Sequence, residues 1–390
     1  MQIFQNTEIA FKPRSDADLR KARLLFRIMA SPLLVRAMGL MAGIALRLRI
    51  PVRWLVKPTV FKLFCGGETL AEVQGVVDKL AFHKVRSVAD FAAENRESEE
   101  EINSVISEII SSMDFAKANR VVPFSVFKPT AIAPPGALEE TGSSSANPAA
   151  AEKFRENFMT LCRAARDRGI PVMVDAEECH YQHVIDDLCT EMMELYNKER
   201  PVIFNTLQMY RHDRVEFLKE ALSRARKKKY YIGFKLVRGA YMEQERERAR
   251  KLGYPSPIHP DKESTDRAFN DAVTLCLENI DITSLFAGTH NEESLMQMME
   301  QMKAADIRND DPRIYSSQLY GMSDHISFNM AAHNYNVAKY LPYGPVHYLI
   351  PYLVRRAEEN RSVSGQSGRE LHFIKLEVKR RKTIYKTRKS

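Results

Sequence analysis

The chain lacks the cysteine patterns of disulfide-stapled and zinc-binding proteins. Its five cysteines, Cys65, Cys162, Cys179, Cys189 and Cys276, form no C-x-x-C pair and no metal-ligand cluster. Reduced thiols in a reducing compartment are therefore expected, with no metal. A transmembrane run is also missing. The longest apolar stretch near the N-terminus, 37–46, is ten residues held between Arg36 and Arg47, where a span needs about 20. Glu8, Asp16 and Asp18 break up the start of the chain, which argues against a secretory signal and against an acid-poor mitochondrial presequence. There is no internal repeat. Nor is the chain basic throughout: net charge is +8, but 375–390 holds eight Lys or Arg against one Glu, +7 of that total. A nucleic-acid footprint would spread over the folded surface, so no nucleic-acid partner is expected. The basic tail reads either as a disordered arm or as an electrostatic tether to anionic lipid.

What is present suffices for one large domain with appendages: 390 residues, 44% of them hydrophobic. The segment 25–56 is apolar with Arg27, Arg36, Arg47, Arg49 and Arg53 interspersed. That pattern fits an amphipathic helix pair that packs on the body or lies on a membrane surface. From there the chain alternates short β-like runs (85–90, 121–127, 171–174, 202–207, 231–237, 284–287, 314–318 and 337–340) with helical stretches such as 243–252 and 292–304. Eight such runs suggest an α/β fold of the (β/α)8, TIM-type barrel class. The expected division is an N-terminal helical region over 1–75, a barrel over 76–362 and the basic tail over 363–390. A loop at 133–151, rich in Pro, Gly and Ser, is expected to be polar and mobile, either covering a site on the barrel rim or serving as a passive insertion.

Catalytic residues of such barrels sit at the C-terminal ends of strands. Here Lys128, Asp175, Gln208, Lys235, His290, Gln318 and Tyr340 fall at those ends. Each has a plainer reading. Asp175 with Glu178, and Thr289 with Glu292, have the spacing of helix capping boxes; His290 fits a structural histidine, and Gly239 a turn glycine. Further on, Tyr352, Arg355, Arg356 and Glu359 follow i, i+3, i+4, i+7 spacing and share one helical face. Paired guanidiniums grip a carboxylate with parallel hydrogen bonds, although a solvated helix with a Glu–Arg pair gives the same pattern.

Together, Val174-Asp-Ala-Glu-Glu178, Lys235-Leu-Val-Arg-Gly-Ala-Tyr241, Thr289-His-Asn291, Gln318-Leu-Tyr-Gly-Met322, Tyr340-Leu-Pro-Tyr-Gly-Pro345 and the arginine helix closely resemble the proline dehydrogenase family, in the same order, over about 64–362. The resemblance implies a distorted barrel, FAD as cofactor, and oxidation of L-proline to pyrroline-5-carboxylate by hydride transfer to flavin N5, with a membrane quinone as electron acceptor. It implies Asp175 and Lys235 as active-site residues. It places Arg355, Arg356 and Lys128 on the substrate carboxylate, Tyr241, Leu319, Tyr340 and Tyr352 around the ring, and Glu359 as the residue that orients the arginine helix. Ala176, Gln208, Lys235, Arg238, Gly239, Ala240, Thr289 and His290 match flavin-contacting positions, with Arg238 expected to face the diphosphate and Gly239 and Ala240 to let the cofactor approach the backbone. Glu94, in Asp90-Phe-Ala-Ala-Glu94, is expected to pair with a clamp arginine when the site is empty, although Ala93 stands where the family usually has glycine. Lys235 stands where bacterial bifunctional members carry arginine, so the chain looks like the monofunctional, eukaryotic-type branch. At this length no aldehyde dehydrogenase module is expected, and a separate pyrroline-5-carboxylate dehydrogenase would take the product. The compartment implied is the cytoplasm, with the inner face of the membrane open as a peripheral site, or the mitochondrion in a eukaryote. Hydroxyproline dehydrogenation is the nearest alternative, and Tyr340 disfavours it by crowding a 4-hydroxyl. An inactive membrane-recruited scaffold and a flavin-free lyase are the others.

Overall fold

A computed structural model describes residues 3–29, 31, 57–138, 147–362 and 366–387. Helices α1 (Thr7–Phe11) and α2 (Asp16–Met29) come first, and α3 (Leu70–Phe82) leads into strand β1 (Arg86–Phe91). Then follow α4 (Glu99–Ala118), β2 (Ser125–Phe127), α5 (Pro148–Arg168), β3 (Val172–Val174), α6 (Gln182–Tyr196), β4 (Ile203–Gln208), α7 (Arg214–Lys228) and β5 (Ile232–Val237). After β5 come α8 (Met242–Leu252), α9 (Lys262–Glu278), β6 (Thr283–Gly288), α10 (Glu292–Ala304), β7 (Ile314–Leu319), α11 (Asp324–Ala332), β8 (Val337–Tyr343), α12 (Val346–Ser362) and α13 (Gln366–Thr387). The strands form one sheet in the order β1-β8-β7-β6-β5-β4-β3-β2. This is the (β/α)8 barrel that the alternation predicts. The chain divides into two compact units, 86–317 and 1–85 with 318–390.

In the unit 86–317, β2 through β6 pair in parallel with their sequential neighbours, and an isolated bridge between Val88 and Phe124 joins β1 to the segment before β2. Parallel strands are covered on both faces; all six residues of β4 are buried, Asn205, Thr206 and Gln208 among them. An aromatic plug fills the lower barrel. Phe124 lies edge-on to Phe204, Phe286 and Tyr315 at 5.3, 5.2 and 5.0 Å, with Arg86 over the Tyr315 ring. Gly233 is dictated by this plug, since a Cβ there would meet the Phe204 ring at 2.5 Å. Lys235, two residues on, shares that face of β5 and so rises above the plug.

Four helices of this unit start on side-chain caps that satisfy orphan N–H groups: Ser98 for α4, Asn147 for α5, Asp261 for α9 and Asn291 for α10. Two expectations change here. The Pro148-Ala-Ala-Ala151 end of the predicted loop is the first turn of α5, because Pro fits N1 and Asn147 accepts from the Ala149 and Ala150 amides; 139–146 lie outside the described residues. β2 starts at Ser125 rather than at 121, the preceding stretch contributing the Val121 carbonyl to the Ser87 amide instead.

In the other unit, β8 runs to Tyr343, three residues past the expected end. The Gly66 amide donates to the Pro342 carbonyl at 2.8 Å and the Gly344 amide to the Gly67 carbonyl at 3.1 Å. The basic tail is corrected too. It is no disordered arm, since 366–387 forms helix α13. Phe373 and Ile374 are buried, and Arg381 donates to Asp16 at 2.7 Å and to the Phe11 carbonyl at 2.9 Å. Of the expected amphipathic pair over 25–56, residues 25–29 fall in α2; residues 30 and 32–56 lie outside the described residues. Among the described residues no helix is long and apolar enough to cross a membrane. All five cysteines are thiols, and burial pushes Cys276 up to about 12.

Candidate active site

Four charged side chains, from the C-terminal halves of β1 and β5 and from the residues just after β2 and β3, converge in the unit 86–317. The Lys128 ammonium donates to both oxygens of Asp90 at 3.0 Å and to Asp175 Oδ2 at 3.4 Å. Lys235 Nζ donates to the other oxygen, Asp175 Oδ1, at 2.5 Å. Asp175 thus bridges the two lysines. All four side chains are 5–14% exposed, so each charge is largely stripped of water and depends on the others. Burial works against the Lys128 charge, but Asp90, Asp175 and Glu94 outweigh it and hold its pKa above the ordinary lysine value. Sequence reasoning finds three of the four. Asp90 carries no role in the motif read from the sequence; its signal is an acid within the buried stretch near the C-terminal end of β1.

A second layer holds the loop after β3. Glu177 is buried and accepts from the Thr130 amide at 2.7 Å and the Thr130 hydroxyl at 2.6 Å. Burial pushes its carboxyl up to about 7, the Thr130 hydrogen bonds pulling the other way. The Gln208 amide donates to the Glu177 carbonyl at 2.6 Å and accepts from the Ala240 amide at 3.2 Å, tying the loops after β3 and β5 to the end of β4. Ala176 lies half-buried between Asp175 and Glu177. Asp175 belongs to no capping box. Helix α6 starts seven residues later at Gln182, so Asp175 is not its N-cap.

Arg238, after β5, anchors the next part of the rim. It donates to Asp266 at 2.6 Å, to the Thr289 hydroxyl at 2.6 Å and to the Ser294 hydroxyl at 2.9 Å, and stacks over Phe269 at 4.6 Å. Burial lowers its pKa against the pull of Asp266. Asp266, Phe269 and Ser294 went unnoticed in the sequence because they lie on α9 and α10, 28 to 56 residues away. Thr289 is not the cap of α10 either; Asn291 is, accepting from the Glu293 and Ser294 amides, while the Thr289 hydroxyl accepts from the Asn291 amide. His290 is half-buried beside it. Gly239 has φ +133°, and a Cβ there would meet the Tyr210 ring at 2.5 Å, so packing on Tyr210 explains the glycine. Gly239 and Ala240 present exposed backbone at the rim, and Tyr241 precedes α8, its carbonyl accepting from Glu245 N at 2.9 Å. A partly open arginine, a buried lysine and exposed rim backbone fit a large anionic cofactor with a polar ring system.

The remaining expected residues belong to the other unit. Leu319 ends β7 half-buried, and Tyr340 is buried in β8, its carbonyl accepting from the Tyr320 amide at 2.9 Å. Tyr352 is buried on α12. Arg355, Arg356 and Glu359 lie on the same helix, and their side chains fall outside the described residues.

A family model described as proline dehydrogenase matches residues 73–369. Proline dehydrogenase 1, mitochondrial, of Dictyostelium discoideum is 31% identical over 85% of this chain and 66% of its own length. Hydroxyproline dehydrogenase of Xenopus laevis is 29% identical over 95% of this chain and 88% of its own. In fold, the chain is similar to proline utilization A (PutA) from Bdellovibrio bacteriovorus inactivated by N-propargylglycine, with TM-score 0.71 and 20% identity over 93% of this chain and 41% of that one. The chain thus spans just under two thirds of its Dictyostelium relative. On the strength of the match over 73–369, the chain belongs to the proline dehydrogenase family.

Proposed function

We propose that this chain is a flavin-dependent proline dehydrogenase that oxidises L-proline to 1-pyrroline-5-carboxylate and passes the electrons to a membrane quinone. The observation that carries the reading is the Asp90, Lys128, Asp175 and Lys235 array at the strand ends of a barrel in this family. FAD, held by Ala176, Gln208, Lys235, Arg238, Gly239, Ala240, Thr289 and His290, would supply a two-electron acceptor for the hydride on the ring carbon next to nitrogen. Lys235 brings a positive charge that Asp175 keeps in place at 2.5 Å. Lys128, fixed between two carboxylates, adds a cation for the substrate carboxylate, whose principal ligands are Arg355 and Arg356, oriented by Glu359. Tyr241, Leu319, Tyr340 and Tyr352 exclude water from the pyrrolidine ring. The substrate amine must be neutral to lose hydride, so turnover rises with pH. A peripheral membrane site, reached through the N-terminal region or the basic helix, suits a quinone acceptor, and a separate pyrroline-5-carboxylate dehydrogenase would consume the product. The catalytic body is proposed to span 76–362, with 1–75 and 363–390 as appendages.

The test is turnover of L-proline with a soluble ubiquinone analogue, the product trapped by o-aminobenzaldehyde. Product equal to the quinone reduced is expected; flavin-loaded protein that forms none would sink the proposal. Oxidation of 4-hydroxyproline is the second reading, favoured by the Xenopus relative. Tyr340 argues against it, and the ratio of kcat/KM for the two substrates decides.

A further inference from the structure

The basic C-terminal helix carries two acids and a ring that are sealed from solvent. Glu370, Phe373 and Glu377 of α13 are 3%, 3% and 0% exposed. Burying a carboxylate in a helix this rich in Lys and Arg is costly unless the group is held by specific partners. Glu377 is explained by its neighbours, accepting from Arg380 at 2.8 Å and Arg381 at 2.7 Å. Glu370 has a different role. Its Oε1 accepts from the Ser323 amide at 2.6 Å and from the Ser323 hydroxyl at 3.2 Å. Phe373, one turn on, stacks on His325 with ring centres 4.1 Å apart.

Ser323 lies in the turn between β7 and α11, at φ +50°, a left-handed conformation that a serine adopts only where its surroundings impose it. The same turn is held from β8. Lys339, wholly buried, donates to the Met322 carbonyl and pairs with Asp324 Oδ1 at 3.0 Å, while Arg14 grips Asp324 Oδ2 at 3.0 and 3.1 Å. Arg14 and Lys339 thus both pair with Asp324, one residue after the Ser323 that Glu370 holds. The turn begins at Leu319, and its Tyr320 amide is bonded to the carbonyl of Tyr340, the residue next to Lys339. Lys339 and Tyr340 project from opposite faces of β8.

We propose that α13 is a positioning element for the substrate wall: Glu370, with Phe373, fixes the 319–324 turn and through it the placement of Leu319 and Tyr340. The role assigned to those two residues rests on the function proposed above; the clamp on the turn does not. Glu370 is a positioning residue rather than a catalytic one, since it acts through Ser323.

The test compares Glu370→Ala and Glu370→Gln in the full chain by two readouts. Amide hydrogen exchange over 319–324 and 337–343 reads the clamp without reference to activity, and steady-state kinetics with L-proline and 4-hydroxyproline read the wall. Glu370→Ala leaves the buried Ser323 N–H without its acceptor, a loss on the scale of about tenfold in an equilibrium. Exchange over 319–324 should rise about tenfold, KM for proline should rise on a similar scale with kcat and flavin content kept, and the preference for proline over 4-hydroxyproline should narrow. Glu370→Gln retains an acceptor oxygen and should restore most of both. Unchanged exchange in the alanine variant overturns the clamp, as does an equal fall in kcat and flavin content with KM unmoved, or failure of glutamine to rescue. If alanine prevents folding, the glutamine variant alone decides: wild-type exchange and KM support the proposal, and a tenfold rise in KM overturns it. Wild-type protein that never reacts with proline defeats the functional reading instead, while exchange over 319–324 still decides whether α13 holds the turn.

Discussion

Lys128→Met should expose how the buried charge array is balanced. Lys128 supplies both hydrogen bonds to Asp90 at 3.0 Å and a longer one to Asp175 at 3.4 Å, with side chains 12%, 5% and 14% exposed. Methionine keeps the stem and removes the charge. Breaking a buried pair from one side costs about 3–5 kcal/mol, because the abandoned charge stays desolvated. Asp90 can escape by taking a proton, since burial already pushes its carboxyl up and Lys128 is what pulls it back. That escape has a ceiling. Protonating a carboxyl at pH 7 from an ordinary value near 4 costs about 4 kcal/mol at 1.36 kcal/mol per unit. We therefore expect a loss of up to about 4 kcal/mol at pH 7, reduced by the amount that wild-type Asp90 is already raised. The sign with pH follows. Asp90 is already raised in the wild type and is raised further in the variant, so the gap between the two is absent below the wild-type folded pKa and grows as pH rises toward the variant's. Urea unfolding of both proteins at pH 7 and pH 5 measures this. The variant should lie well below wild type at pH 7 and approach it at pH 5. A loss under about 1 kcal/mol at pH 7, or a gap independent of pH, would refute the reasoning.

Glu177, pushed up to about 7 by burial, is an acid whose folded pKa exceeds its unfolded one. Its contribution to stability should fall by about 3 kcal/mol as pH rises from 4.5 to 7 and level off above; Glu177→Gln should flatten that slope in denaturant titrations. Gly239→Ala places a Cβ 2.5 Å from the Tyr210 ring at φ +133°, and a loss of about 1–3 kcal/mol should appear as a lowered melting temperature; an unchanged value contradicts the packing argument. Arg238→Lys cannot reach Asp266, Thr289 and Ser294 together as the guanidinium does, so the purified protein should carry less flavin per chain, read from absorbance after denaturation. Tyr340→Ser should raise kcat/KM for 4-hydroxyproline relative to proline; no change in the ratio would remove Tyr340 from the substrate wall.

The barrel was legible because buried parallel strands leave short apolar runs with a polar residue at the end, and Lys128, Asp175 and Lys235 could be picked out by that rule alone. Their bonding was not legible. Nothing in the sequence pairs Lys128 with Asp90, 38 residues earlier, or Lys235 with Asp175, 60 residues earlier. Spacing also misled. Asp175 and Thr289 had capping-box spacing, but the caps actually used depend on where the helix begins, which the loops after β3 and β6 decide. At Gly239 the sequence does not show the Tyr210 ring that an added Cβ would meet. In the C-terminal tail, net charge hid the pattern beneath it: Glu370, Phe373, Ile374, Glu377 and Arg381 fall on i, i+3, i+4, i+7, i+11 spacing, the signature of a helix that packs.

The central claim is that the charge array at the strand ends serves flavin-dependent oxidation of proline. An anaerobic absorbance titration of the purified protein, with FAD supplied, tests it most directly. The account predicts oxidised-flavin bands that bleach as L-proline is added and respond little to 4-hydroxyproline. Protein that binds no flavin, or binds it and stays oxidised at saturating proline, would contradict the account.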